Sequence, residues 1–511
     1  MYLDVEKAPP SPSLHSKNQL ELDTSSATGS DTPLEKSPPQ PRYQKWIASL
    51  KSVETGGIER ISLEDRQPVT SSTTLHMFLM WFSMVLATNN IIVGSLGTYV
   101  MGLSFRDAAI CAMLGNLVGL CTAGYMSTWG PRSGNRTLIV SRYFMGYWPS
   151  KICCLLNILT NIGYCMLNCT VGGQILSKVS GETISVMVGI VIVALTSWVM
   201  AMFGMRVFAI YERFAWVPQI MVLCIMLGSA GPHFDFNINI ESSPEHLSAK
   251  RVTFFSLCVS VGLSWAPLAA DYYVYYPPHV KRWKTFLTTV TGGGLAMGFT
   301  LLLGNGLGTM LASTPAYVKE YGNNPGGLLM MAYDALGGFG KFCAVINVLA
   351  LVANNTPGAY SMGMNFQMLG GVFQKVSQPI FTTLTTVAYT ACAMGGRNSL
   401  YEIFNSLLPL IGYWVIIWFM IVIEEDIIFR RIKGYDWTAW NSPCELPIGI
   451  AAGIAFLIGW AGAIIGMDQS YYSGILAQAT GGSDLGIWMG AAFTVVSFPP
   501  LRALELWFVK R

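Results

Sequence analysis

The sequence predicts an all-α polytopic membrane protein of about twelve transmembrane helices. Three observations lead there. Of 511 residues, 52% are hydrophobic and only 12% charged, against roughly 25% charged in an average soluble protein. The apolar residues come in successive runs of about 20, long enough to cross a hydrocarbon core. The charges are also unevenly placed: residues 1–75 hold 8 of the 31 Lys and Arg and 10 of the 28 Asp and Glu, leaving 41 charges for the other 436 residues. With a mean hydropathy of +0.45, the chain cannot be a soluble enzyme, a coiled coil or a disordered protein. Its net charge of +3 is scattered over short loops and indicates no nucleic-acid partner.

The first segment, residues 1–75, is rich in Ser, Pro, Thr and mixed charge (APPSPSLHS, SSATGSDTP, KSPPQPRYQ). It cannot bury enough apolar area to offset ordering entropy and reads as a disordered tail. It lacks the early apolar stretch of a signal peptide. Spans follow at about 76–101, 107–127, 151–176, 184–204, 213–231, 253–274, 286–312, 339–361, 379–396, 402–423, 446–467 and 485–505,. With the tail in the cytoplasm and the spans alternating, sixteen Lys and Arg fall in inner loops against seven outside. That bias places both termini in the cytoplasm. Ten of the 11 cysteines lie in apolar runs, where they act as small apolar residues rather than disulfide or zinc partners.

Polar groups at bilayer depth mark cavities or helix contacts, and four places carry them. In the first span Thr88-Asn89-Asn90 interrupts an apolar run, reading as an unwound midpoint that lines a site or as a helix–helix hydrogen-bond pair. In the third, Asn157, Asn161, Tyr164 and Asn168 stand at offsets 0, 4, 7 and 11, one face of a helix. Gly172-Gly173 nearby gives Asn168 a packing alternative. In the sixth, SWAPLAADYYVYYPP (264–278) joins a stacking indole, Trp265, to a helix-breaking Pro267. The same stretch holds Asp271, either a proton-relay acid or a cap or ion-pair partner for Lys281 or Arg282. In the eighth, Asn354-Asn355-Thr356-Pro357-Gly358 clusters two amides with two helix breakers.

These groups are mostly neutral. A carboxamide presents an acceptor and two donors in one plane, matching a planar heterocycle whose edge alternates donors and acceptors, as Asn and Gln match adenine elsewhere. An anionic cargo would call for Arg or Lys at depth. No phosphate loop, metalloprotease motif or nucleophile elbow is present, so the chain is not an enzyme and no cofactor is expected. Transport, if active, draws on an ion gradient. Breaks in spans one and six, five spans apart, point to two inverted five-helix repeats sharing a midplane site.

From about Val53 to Arg511 the chain resembles the fungal purine-cytosine permeases of the nucleobase–cation symporter-1 family. The likeness is carried by GPRSGNRTLIVSRYFMGYWPSK (130–151), NIGYCMLNCTVGGQILS (161–177), SWAPLAADYYVYYPP (264–278), NNTPGAYS (354–361) and LPIGIAAGIAFLIGWAGAIIGMDQSYYSG (446–474). The resemblance implies a five-plus-five inverted-repeat, LeuT-like core over residues 76–423. Two additional C-terminal helices and a short cytoplasmic end then occupy 424–511. The family's third-helix pattern GW-x-x-x-N corresponds to Gly163 through Asn168, with Tyr164 in place of Trp. Its sixth-helix Trp corresponds to Trp265, and its eighth-helix NN-x-P-N-x-Y-S to Asn354, Asn355 and Pro357, with Gly358 in place of Asn.

A substrate site is thus expected from Asn89, Asn90, Asn161, Tyr164, Asn168, Trp265, Asn354, Asn355 and Pro357, with Asp271 as a candidate for proton coupling and no metal. The expected activity is proton-coupled import of cytosine and purines such as adenine, guanine and hypoxanthine across the plasma membrane. Vitamin B6 or another aromatic heterocycle is the alternative cargo. A non-transporting receptor is the alternative class, disfavoured by a short tail without signalling features.

Overall fold

A computed structural model of the chain describes residues 57–202, 204–237, 244–314, 324–431 and 434–509. All the long elements are helices. They are α1 (Ser71–Val85), α2 (Thr88–Ser95), α3 (Phe105–Ser127), α4 (Trp129–Ser133), α5 (Thr137–Met145), α6 (Pro149–Val179), α7 (Val186–Met202), α8 (Gly204–Ala230) and α9 (Pro244–Leu263). Then come α10 (Arg282–Ser313), α11 (Pro325–Met331), α12 (Gly337–Met368), α13 (Val372–Lys375), α14 (Gln378–Gly396), α15 (Leu400–Glu424), α16 (Ile450–Gly466), α17 (Ile475–Ala479) and α18 (Gly486–Val509). One antiparallel hairpin pairs Asp468 with Ser473 and Gln469 with Tyr472.

Helix starts follow local chemistry. The Ser104 hydroxyl accepts from the Asp107 amide to cap α3, and α6 and α11 begin on Pro149 and Pro325, whose fixed φ suits a first turn. Each of the twelve apolar runs overlies a helix. Among the described residues, eight helices are long and apolar enough to cross a membrane, or nine if the bent pair α1–α2 is one span. Val186–Met202 and Ile450–Gly466 are apolar but shorter. Twelve spans therefore remains an expectation from sequence.

The helices sort into two four-span groups. α1–α2, α3, α9 and α10 pack on one another; α6, α7, α12 and α14 form the second set. In span order these are 1, 2, 6 and 7, and 3, 4, 8 and 9. Corresponding helices of the two repeats thus lie together, as inverted repeats require. Helix α15 packs against α9 and the terminal helix α18, which is itself paired with α16. At the closest approach within the first group, a Cβ on Gly304 of α10 would lie 1.9 Å from the Ile91 carbonyl oxygen of α2. Only glycine permits that backbone contact.

The first-span break falls at Leu86–Ala87, and its two halves are bent by 53°. Thr88-Asn89-Asn90 form the first turn of α2 rather than an unwound stretch. Asn90 Nδ2 donates to the Val85 carbonyl at 2.8 Å, alongside the Ala87 amide, and so ties the first turn of the new helix back to the end of α1. The sixth span breaks at Ser264–Trp265 and continues as a 3₁₀ helix over Ala266–Tyr273, with Pro267 in its first turn. The eighth does not break. α12 runs through Pro357 for 32 residues, since one missing amide is tolerated where neighbouring helices hold both sides. Residues 129–145, lying between the second and third spans expected from sequence, form the short helices α4 and α5, both largely buried.

Candidate functional site: an amide-lined cavity between two helix groups

A small, partly open cavity lies where the two groups meet. The first group contributes Asn89 and Asn90 from α2 and Val261, Ser264, Trp265 and Leu268 from the broken sixth span. The second contributes Thr160, Asn161, Tyr164 and Cys165 from α6 and Asn354, Pro357 and Gly358 from α12. No charged side chain lines it.

Of the nine predicted substrate residues, Asn89, Asn90, Asn161, Tyr164, Trp265, Asn354 and Pro357 line this cavity. Asn168 and Asn355 do not; they stand behind its wall. Asn168 Nδ2 donates to Asn354 Oδ1 (2.9 Å) and Asn355 Oδ1 (2.8 Å). Asn355 Nδ2 in turn approaches Cys169 Sγ and Ser197 Oγ at 3.4 Å, joining α6, α7 and α12. Asn354 Nδ2 donates to the Met84 carbonyl at 2.9 Å. Two carbonyls at the first-span break, Met84 and Val85, thus each accept from a side-chain amide, one from each helix group.

The polar capacity of the wall is only partly used. Asn89 Oδ1 has no hydrogen-bond partner among the described residues. The Tyr164 hydroxyl has no hydrogen-bond partner among the described residues, while Ser264 Oγ donates to the Val261 carbonyl at 2.7 Å. Asn161 Nδ2 donates to the Asn157 carbonyl at 2.7 Å, leaving its Oδ1 toward Gly358, where a Cβ would sit 3.1 Å from that oxygen and 3.5 Å from Cys165 Sγ. Trp265 is held edge-on against Trp81 with centroids 5.8 Å apart, which fixes the indole as a rigid wall.

Asp271 lies outside the cavity. Its Oδ1 accepts from the Thr137 amide (2.6 Å) and the Thr137 hydroxyl (2.8 Å), and so caps the start of α5. It forms no ion pair with Lys281 or Arg282 among the described residues. Arg136 is the basic group within its electrostatic reach, and Arg136 Nη2 donates to the Tyr360 hydroxyl of α12 at 3.1 Å. The acid thus sits where the sixth span, the α4–α5 segment and α12 converge.

Sequence reasoning missed Thr160, Cys165, Val261, Ser264 and Leu268 as wall residues. Thr160 and Cys165 flank Asn161 and Tyr164 on α6 at the edges of the polar stripe, and a stripe widened by one position would have included both. Nothing distinguished Val261 or Leu268 from the other aliphatic residues of their span.

Comparison with known proteins agrees with this architecture. The profile of the family described as permease for cytosine/purines, uracil, thiamine, allantoin matches residues 67–490. The vitamin B6 transporter TPN1 of Saccharomyces cerevisiae is 30% identical, covering 90% of this chain and 89% of its own. The purine-cytosine permease fcyB of Emericella nidulans is 32% identical over 92% of each. Among solved structures, Mhp1, a nucleobase-cation-symport-1 family transporter in a closed conformation with bromovinylhydantoin bound, superposes with a TM-score of 0.60 at 14% identity. It covers 89% of this chain and 95% of that one.

Proposed function

We propose, from the premise that this chain belongs to the nucleobase–cation symporter-1 permeases for cytosine/purines, uracil, thiamine and allantoin, that it imports a neutral, planar heterocycle through the amide-lined cavity. It is a polytopic membrane transporter and not an enzyme. The observation that carries the substrate reading is the cavity wall: four carboxamides, a phenol and an indole, with no charged side chain. In this reading the ring stacks on Trp265 and Tyr164, and its edge pairs with Asn161, Asn354 and Asn89. Asn168 and Asn355 hold those partners in place. Because the two walls belong to different helix groups, relative rocking of the groups exposes the site to one side and then the other.

Cytosine and purines are the first cargo to test, with proton as the coupling ion and the plasma membrane as the site of import. Protonation of Asp271 weakens it as acceptor for the Thr137 amide and hydroxyl, loosening the cap on α5 and, through Arg136 and Tyr360, the hold on α12. Vitamin B6 is the second cargo. It is favoured by Gly358, which leaves open the space beside Asn161 Oδ1 and Cys165 Sγ, room for a substituent outside the plane of a flat base. Uptake of labelled cytosine, adenine, hypoxanthine and pyridoxine in yeast lacking its own carriers separates the two. Accumulation of none of these overturns the proposal. Uptake that depends on sodium and ignores pH overturns proton coupling.

A further inference from the structure

We propose that the transported heterocycle has a second binding station one helix turn beyond the cavity, at Asn157 of α6 and Ser361 of α12, which receives it on the way to the cytoplasm. Asn157 is fully buried, and neither its Nδ2 nor its Oδ1 has a hydrogen-bond partner among the described residues. Burying a carboxamide with both ends unpaired is costly. Packing alone gives no reason for it, since an apolar side chain of like shape would be more stable there.

The position of Asn157 indicates its partner. At about 100° per residue, it falls between Tyr164 and Asn161 on the face of α6 that lines the cavity,. It stands about 6 Å from Asn161 along the axis, toward the end that joins the basic loop. The opposite wall repeats the pattern. Pro357 and Gly358 line the cavity, and Ser361 and Asn365, both buried, follow on that face of α12. As the third and eighth spans, α6 and α12 run antiparallel, and a Cβ on Gly358 would lie 3.1 Å from Asn161 Oδ1. One further turn along each helix therefore sets Asn157 and Ser361 at the same level. On the third wall Asp271 follows Leu268 by three residues, one turn of the 3₁₀ helix,. Held by Thr137, it marks the inner limit of the station. An amide and a hydroxyl offer donors and acceptors without charge, the same chemistry as the cavity wall, so the station suits the same neutral ring.

The station rests on the proposed import of a heterocycle, with the basic loops in the cytoplasm, and its test separates the two. Uptake of labelled cytosine and labelled pyridoxine is followed in yeast lacking its own carriers, with surface expression measured alongside. Melting temperatures are read on the full chain in detergent. Val and Thr share a shape and differ by a hydroxyl, so Asn157→Val and Asn157→Thr isolate polar capacity. Asn157→Val should lower Vmax roughly tenfold, the worth of about one hydrogen bond, without raising KM. Asn157→Thr should recover most of the rate. Because neither end of Asn157 is bonded within the packed helices, Asn157→Val should melt no lower than Asn157→Thr. Asn161→Val, in the cavity itself, should instead raise KM. If Asn157→Val does not reach the surface, Ser361→Ala decides: a lowered Vmax at constant KM supports the station, and normal kinetics overturn it. Equal uptake by Asn157→Val and Asn157→Thr also overturns it. A KM raised as in Asn161→Val makes Asn157 part of the cavity, and a melting point below that of Asn157→Thr makes packing or an ordered water its role; either result overturns the station. If the wild type accumulates neither compound, the import reading itself fails, and the station with it.

Discussion

Asn168 spends one amide group on two neighbours, donating to Asn354 Oδ1 and Asn355 Oδ1. Removing it leaves both acceptors short of a donor, at about 1–3 kcal/mol for a buried group. Asn168→Ala should therefore raise KM for the transported heterocycle by about tenfold or more in an uptake assay, although the residue does not face the cavity. Gly358→Ser acts from the other side. Its Cβ enters the space beside Asn161 Oδ1 and should penalise pyridoxine more than cytosine in competition assays. Asp271→Asn keeps an acceptor for Thr137 yet cannot titrate, so uptake should become insensitive to external pH while the chain still folds. Sequence periodicity grouped Asn161, Tyr164 and Asn168 on one stripe, because side chains at offsets of four and seven share a helix face. How far along that stripe the cavity extends depends on α12, and it ends before Asn168.

Among the elements, the broken spans and the backbone contact between α2 and α10 set the shape of the site. Gly304→Val would drive two β-branch carbons toward the Ile91 carbonyl, and overpacking of that kind costs about 1–3 kcal/mol. A lowered melting temperature in detergent, with uptake lost out of proportion to surface expression, is the expected outcome. Both breaks were legible in the sequence to within a few residues, at Asn89-Asn90 and at Pro267, because each depends on a local conflict with helical hydrogen bonding. The same reasoning overestimated Pro357. Its missing amide is one defect in a helix packed on α6, α7 and α14, and packing outweighs the local preference.

For the whole molecule, the α16–α18 pair grips α15 at two levels, one at its C-terminal end and the other at its middle, where Tyr413 lies. At one end Arg502, 2% exposed, meets Glu425 through two nitrogens at 2.9 Å and Glu505 at 3.0 Å. Glu505 accepts from the Gly449 and Ile450 amides at the start of α16. Arg502→Met would leave buried Glu425 with Arg430 as its remaining cation and Glu505 with two backbone amides and no cation, and should cost about 3 kcal/mol, read as a loss of thermal stability. At the middle of α15 the Tyr413 hydroxyl donates to Asp484 Oδ2 at 2.7 Å, and Gln469 Nε2 donates to the same oxygen at 2.9 Å. Burial, reinforced by nearby Asp468, pushes the Asp484 carboxyl up to about 6 despite those bonds. The folded chain then keeps a proton that the unfolded chain loses near pH 4, so this junction's contribution falls as pH rises between about 4 and 6 and levels off above. Asp484→Asn should flatten that slope in thermal unfolding measured across the window.

The sequence by itself determined the environment and the chemistry of this protein. Charge scarcity requires a membrane, and helical spacing groups neutral amides on one face at bilayer depth. Those properties reside in residues close along the chain, where period, propensity and composition act directly. Only the tertiary structure decided which amides face the cavity and which support it, that Asp271 caps α5 rather than pairing with Lys281 or Arg282, and that the C-terminal helices hold α15. Each of these joins residues about seventy or more positions apart or sets a cavity's edge. Such contacts depend on which helix faces meet, a long-range choice that no local pattern encodes.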